Sequence, residues 1–103
     1  MESEDRIAIG DFVIDISRHE VMVKGTHVDL TPSELRLLHL LASQPGRVFT
    51  RDQLLSRVIG EGAYVIDRNI DVHIRGIRKK LGSHKDQIQT VRGVGYRFSA
   101  QGV

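Results

Sequence analysis

Apolar residues recur with a period of two at the start of the chain: Ile7 and Ile9, then Phe12, Ile14 and Ile16, then Val21 and Val23, then Val28 and Leu30. Gly10-Asp11, Ser17-Arg18-His19 and Lys24-Gly25 fall between these groups and supply turn formers. Alternation punctuated in this way predicts an antiparallel meander of about four strands. At Leu30-Thr31-Pro32-Ser33-Glu34-Leu35 the period changes to that of a helix. Thr31 is placed to accept from an orphan amide, and Pro32 suits the first helical position. Glu34 completes a capping box, with Leu30 and Leu35 as its hydrophobic staple. The helix predicted over residues 32–43 carries Leu35, Leu37, Leu38, Leu40, Leu41 and Ala42 around most of its circumference, which leaves Arg36, His39 and Ser43 as the wet stripe. A helix apolar on most sides is a central one. Gln44-Pro45-Gly46 ends it.

The same grammar returns at Phe49-Thr50-Arg51-Asp52-Gln53-Leu54, a second staple and capping box. It opens a helix over residues 51–59 with Leu54, Leu55, Val58 and Ile59 on one face, stopped by Gly60. Residues 60–66 read as a loop, and Asp67 is placed to cap a third helix over residues 68–81. Residues 87–98 read as a hairpin whose turn is Arg92-Gly93-Val94-Gly95. The fold class is therefore α+β: an N-terminal four-stranded antiparallel sheet, three helices and a C-terminal β-hairpin. It forms a single domain over residues 1–103, with its core within about 7–98.

At about 100° per residue, Ile70, Ile74, Ile77 and Leu81 fall in a stripe about 60° wide that must face the core. The opposite face holds Arg68, Asn69, Val72, Arg75, Gly76 and Lys79, flanked by His73 and Lys80 on one side and by Asp71 and Arg78 on the other. Cations, an amide and one small apolar side chain suit duplex DNA. Arg and Lys meet phosphates, Arg and Asn meet base edges, and a small apolar group meets thymine methyls. A solvated basic back is the alternative on this helix alone. The hairpin favours DNA: Arg92 on a flexible tip can enter a narrow minor groove, and Thr90 and Tyr96 hydroxyls can bond phosphate oxygens. Helix, loop, basic helix and basic hairpin make up the winged helix-turn-helix arrangement.

Composition narrows the remaining classes. With 103 residues, 40% hydrophobic and 27% charged, the chain has ordinary globular composition for one domain. The net charge of +2 hides an asymmetry: residues 1–50 hold 5 basic against 8 acidic side chains, and residues 51–103 hold 10 against 5. The basic half points to an anionic partner. No cysteine is present, so thiolate catalysis, thiolate metal sites and disulfides are excluded. The longest apolar run is too short for a membrane span, and the acidic Met1-Glu2-Ser3-Glu4-Asp5 is unlike a signal peptide. A cytoplasmic, membrane-free protein is expected. The five histidines show no metal-ligand spacing, and no serine lies in a nucleophile-elbow context. Neither an enzyme nor a metal or other cofactor is predicted. The rival is a winged helix used for protein contacts or for RNA, but the deep, narrow RNA major groove does not admit a helix and no aromatic stacking platform is present.

The segment Asp67-Arg68-Asn69-Ile70-Asp71-Val72-His73-Ile74-Arg75-Gly76-Ile77-Arg78-Lys79-Lys80-Leu81, with Gln89-Thr90-Val91-Arg92-Gly93-Val94-Gly95-Tyr96-Arg97-Phe98, strongly resembles the DNA-binding effector domain of OmpR/PhoB-family response regulators. Leu30-Thr31-Pro32-Ser33-Glu34-Leu35 resembles the opening of that domain's first helix, and PhoB-like members are the most similar. The resemblance implies a transcription regulator in a bacterial two-component system. It implies phosphate contacts from Arg68, His73, Arg75, Arg78, Thr90 and Tyr96, and base contacts from Asn69 and Val72 in the major groove and from Arg92 in the minor groove. It also implies that the loop with Glu61, Gly62, Ala63 and Tyr64 touches the sigma or alpha subunit of RNA polymerase. An N-terminal phospho-acceptor receiver, for which 103 residues leave no room, normally precedes the domain. Direct repeats of DNA, bound head to tail by a protein that is monomeric alone, complete the family picture. Two positions depart from it: Gly76 stands where PhoB-like members carry a base-contacting Arg, and Ile59 where relatives often carry Trp.

Overall fold

The computed structural model of the chain describes residues 5–60 and 69–99. In chain order the elements are β1 (Arg6–Ile9), β2 (Phe12–Asp15), β3 (Glu20–Val23), β4 (Thr26–His27), α1 (Pro32–Ser43), β5 (Phe49–Thr50), α2 (Arg51–Gly60), α3 (Ile70–Leu81), β6 (Ile88–Val91) and β7 (Gly95–Phe98). This is the α+β winged-helix architecture that the patterning predicts.

Strands β1 to β4 form one antiparallel sheet in chain order. Ile14 lies opposite both Ile7 and Val21, and Phe12 lies opposite Val23. This register gathers Phe12, Ile14, Val21 and Val23 into the buried core. The sheet differs from the alternation in two places. β2 ends at Asp15, one residue short of Ile16, whose amide still bonds the Asp5 carbonyl at 2.9 Å in the register of the β1–β2 pair. The Asp15 carboxylate then accepts from the Ser17 hydroxyl at 2.8 Å and the Arg18 amide at 3.1 Å, which closes the turn locally. The fourth strand lies at Thr26–His27 rather than at 28–30. Lys24 and Gly25 take φ of 52° and 78°, a two-residue hairpin turn that sets Thr26 directly opposite Val23. Val28 and Leu30 then pack against the core beyond the strand's end.

The capping box that opens α1 is formed on both sides. Thr31 Oγ1 accepts from the Glu34 amide at 3.2 Å, and Glu34 Oε1 accepts from the Thr31 amide at 3.0 Å. Leu35, Leu37, Leu38, Leu40, Leu41 and Ala42 are all buried, and α1 touches β1, β2, β7, α2 and α3, as befits a central helix. The stripe expected to be wet is only partly so: His39 is half-buried, with Nε2 3.1 Å from the Asp5 carbonyl. At α2 the reciprocal bonds between Thr50 and Gln53, 2.9 and 3.1 Å, form the second box.

A second sheet, of order β5-β7-β6, was legible only in part. β5 is two residues long, too short for any period, yet Phe49 pairs with Tyr96 and Thr50 with Gly95. Gly95 is required here because a Cβ at that position would overlap the Phe49 carbonyl oxygen. Between α3 and β6 a single 3-10 stretch, Gly82–Gln87, fills what reads in the sequence as plain loop. The two sheets meet where Phe12 and Phe98 pack edge to face, 5.4 Å apart, inside the core.

Candidate nucleic-acid interface

Each side of α3 has a different fate. Its inner stripe, Ile70, Ile74, Ile77 and Leu81, is buried in the common core. The helix begins at Ile70, later than Asp67 as a cap would place it, because Asn69 is the N-cap and its side-chain oxygen accepts from the Asp71 amide at 2.9 Å. Capping thus occupies one acceptor of a side chain otherwise assigned to base contact.

The flank toward the hairpin carries Asp71 and Arg78, two turns apart. Asp71 Oδ1 accepts from the Tyr96 phenol at 2.5 Å and from Arg51 Nε at 2.8 Å. Arg78 Nη2 donates to the Ile88 carbonyl and to Thr90 Oγ1, both at 2.8 Å, and its guanidinium lies 5.5 Å from the Tyr96 ring centre. The bond from Tyr96 and then that from Arg51 hold the Asp71 carboxyl below its ordinary range. Burial, and after it the neighbouring Asp71, pushes the Tyr96 phenol up. Arg78, Thr90 and Tyr96 are therefore brought together, as partners within the protein that tie the hairpin to α3.

The opposite flank, toward α1, carries Gly76 and Lys80, one turn apart. Lys80 Nζ donates to Glu34 Oε1 at 2.7 Å, and a Cβ on Gly76 would collide with Glu34 Oε2. Gly76 does not belong to the outward face where helical periodicity puts it. It is covered by a carboxylate of α1.

What remains outward is Val72, Arg75 and Lys79, all exposed, together with the N-cap Asn69 and, at the α1 edge, the paired but exposed Lys80, with His73 half-buried beside them. The hairpin tip adds exposed Arg92, Gly93 at φ 76° and Val94. Among the described residues the exposed large hydrophobics are Val72 and Val94, one on each of these two elements. Arg97 reaches across the hairpin to the residue opposite it, with Nε donating to Gln89 Oε1 at 2.8 Å. Arg51 was missed by sequence reasoning, which saw only its place in a capping box. Its partner Asp71 is 20 residues away, and no local pattern announces such a pair. Arg68, Asp67 and the loop residues Glu61, Gly62, Ala63 and Tyr64 lie outside the described residues. Among the described residues no group of three His, Cys, Asp or Glu side chains is placed to hold a metal, and no helix is long and apolar enough to cross a membrane.

Residues 25–98 match the family described as "Transcriptional regulatory protein, C terminal". The phosphate regulon transcriptional regulatory protein PhoB of Klebsiella pneumoniae is 46% identical over 103 residues, covering 98% of this chain and 45% of PhoB. The chain thus spans about half the length of the curated relatives it matches. The Klebsiella pneumoniae RstA DNA-binding domain, solved in complex with the RstA box, superposes with a TM-score of 0.77 at 34% identity, covering 93% of this chain and 98% of that one. The C-terminal effector domain of BfmR from Acinetobacter baumannii gives a TM-score of 0.75 at 38% identity, with coverage of 100% and 97%.

Proposed function

This chain belongs to the family of C-terminal domains of transcriptional regulatory proteins, of the OmpR/PhoB type, and on that premise we propose that it is the effector domain that binds a bacterial response regulator to specific duplex DNA. The observation that carries the reading is the free side of α3. Its other sides are taken by the core, by the hairpin and by Glu34, while Val72, Arg75 and Lys79 are left exposed next to a hairpin tip bearing Arg92.

In this reading α3 lies in the major groove. Arg75 and Lys79 meet phosphates, with His73 near the backbone, and Val72 lies against thymine methyls, with the remaining polar atoms of Asn69 at base edges. Arg92 enters the flanking minor groove. Arg68 is assigned to a phosphate by the resemblance alone. Arg78, Thr90 and Tyr96 act chiefly by holding the hairpin against α3, and their remaining donors face the phosphate backbone. The RstA domain with its box supports duplex DNA as the partner. Loop residues Glu61, Gly62, Ala63 and Tyr64 contact RNA polymerase. A phospho-acceptor receiver supplies the signal, and two domains bind direct repeats head to tail. The domain itself is no enzyme and works in the cytoplasm.

The test is a salt titration of binding to a random-sequence DNA duplex, followed by selection of preferred duplexes from a random pool. Each phosphate neutralised adds about −0.9 to the slope of log K against log salt, so a slope of several units and an enriched sequence are expected. Binding that is absent, insensitive to salt, or equal for duplex RNA overturns the proposal.

A further inference from the structure

Glu34 has a second role that the capping box does not explain. Its side chain is only 8% exposed, yet it meets Lys80, on another helix and 46 residues away, at 2.7 Å. The carboxylate reaches α3 because position 76 has no side chain: a Cβ there would occupy the space of Oε2. Gly76 and Lys80 are four residues apart and so share one flank of α3. Gly76 admits the carboxylate and Lys80 is held by it. The neighbouring cations of the last turn divide accordingly, with Arg78 bound to β6, Lys80 bound to α1 and Lys79 exposed.

We propose that Glu34 masks Lys80, withholding one cation of the DNA-reading helix from phosphate contact and so limiting affinity for duplex of any sequence. A carboxylate so nearly removed from water does not readily give up the Lys80 ammonium, since the buried charge would then lose that compensation. Lys80 is consequently a poor competitor for a solvated phosphate, although its side chain is 39% exposed. Affinity for any duplex is kept down, while the base contacts of Val72 and Asn69, which depend on sequence, are untouched. A phosphate contact carries no sequence information, so the mask acts on overall affinity and on its salt dependence. This inference rests on the DNA-binding reading above.

The experiment measures binding to a random-sequence duplex between about 50 and about 200 mM salt for the wild type, Glu34→Gln, Lys80→Gln and the double variant. Gln at position 34 can still accept from the Thr31 amide, so the capping box is retained and folding is checked by circular dichroism. Glu34→Gln is expected to steepen the slope by about 0.9, one added phosphate, and to bind about threefold more tightly at the low end of the range relative to the high end. Lys80→Gln is expected to leave the slope as it is, and the double variant to match the wild type. Asp29→Asn, which removes a carboxylate from an exposed site in the loop before α1, controls for net charge and is expected to leave the slope unchanged. The proposal is overturned if Glu34→Gln leaves the slope unchanged, if Asp29→Asn steepens it equally, or if Lys80→Gln alone flattens it, since Lys80 would then already touch phosphate. Absence of any salt-dependent binding by the wild type would instead remove the DNA-binding reading itself.

Discussion

The Tyr96 phenol and Arg51 Nε converge on one oxygen, Asp71 Oδ1, at 2.5 and 2.8 Å. That atom joins the hairpin, α2 and the first turn of α3, so the orientation of the helix relative to the wing depends on it. Arg51 also lies 5.4 Å from the Tyr96 ring centre, which adds a cation–π contact to the same junction.

Tyr96→Phe removes the phenol and keeps the ring in the core. A hydrogen bond to a charged group contributes about 1.5–3 kcal/mol, and here the figure is lowered because Asp71 retains Arg51 and reaches water. A loss of about 1 kcal/mol is expected, read as a lower urea midpoint at constant m-value. An unchanged midpoint would show that the junction contributes nothing to stability.

The same junction sets a pH dependence. Tyr96, then Arg51, lower the folded-state pKa of Asp71 below its ordinary 3.8, and the Ser17 hydroxyl, with further help from the Arg18 amide, does the same for Asp15 against the opposing effect of burial. The unfolded chain then binds these protons more readily than the folded one. The stabilisation is therefore present above 3.8 and is lost as pH falls through that value and on through the folded pKa. Tyr96 is raised above 10.0, chiefly by burial, so its contribution is present below 10.0 and disappears as pH climbs through the folded value. Thermal melts from about pH 2 to about pH 11 should show both limbs, and Asp71→Asn should make the acid limb shallower. An acid limb of the same depth in that variant would place the titration elsewhere.

Arg75→Ala should weaken binding to every duplex alike and reduce the salt slope by about 0.9. Val72→Ala should leave that slope intact and alter the selected sequence, with about 1 kcal/mol lost at the affected base pair, within the usual range for one mismatched position. Exchanged behaviour, with Val72→Ala changing the slope and Arg75→Ala changing the sequence, would mean that the helix docks in another orientation.

Two glycines should respond differently to a side chain. Gly95→Ala drives a Cβ into the Phe49 carbonyl, which is backbone and has nowhere to go. A loss of about 3 kcal/mol or failure to fold is expected, at the upper end for overpacking. At Gly76 the obstacle is the end of a side chain, so Gly76→Arg should fold with Glu34 displaced. A smaller loss of about 1–2 kcal/mol is expected, and Glu34→Ala in the same chain should relieve part of it. Equal losses at positions 76 and 95 would contradict the distinction.

The sequence by itself determined those features whose cause lies within a few residues. The isoleucine seam of α3, the two capping boxes, the apolar girdle of α1 and the hairpin of residues 87–98 follow from periodicity and local hydrogen bonding, and each was legible. Tertiary structure alone decided which polar groups on α3 remain available. Asp71 is bound by residues 20 and 25 positions away, and Lys80 by one 46 positions away. A helical wheel gives an angle about an axis, but not what packs beside it. For that reason Gly76 lay on the basic face on paper, with Arg78 and Lys80 on its two flanks, whereas in the fold two neighbouring elements cover that face from its edges and leave Val72, Arg75 and Lys79 between them.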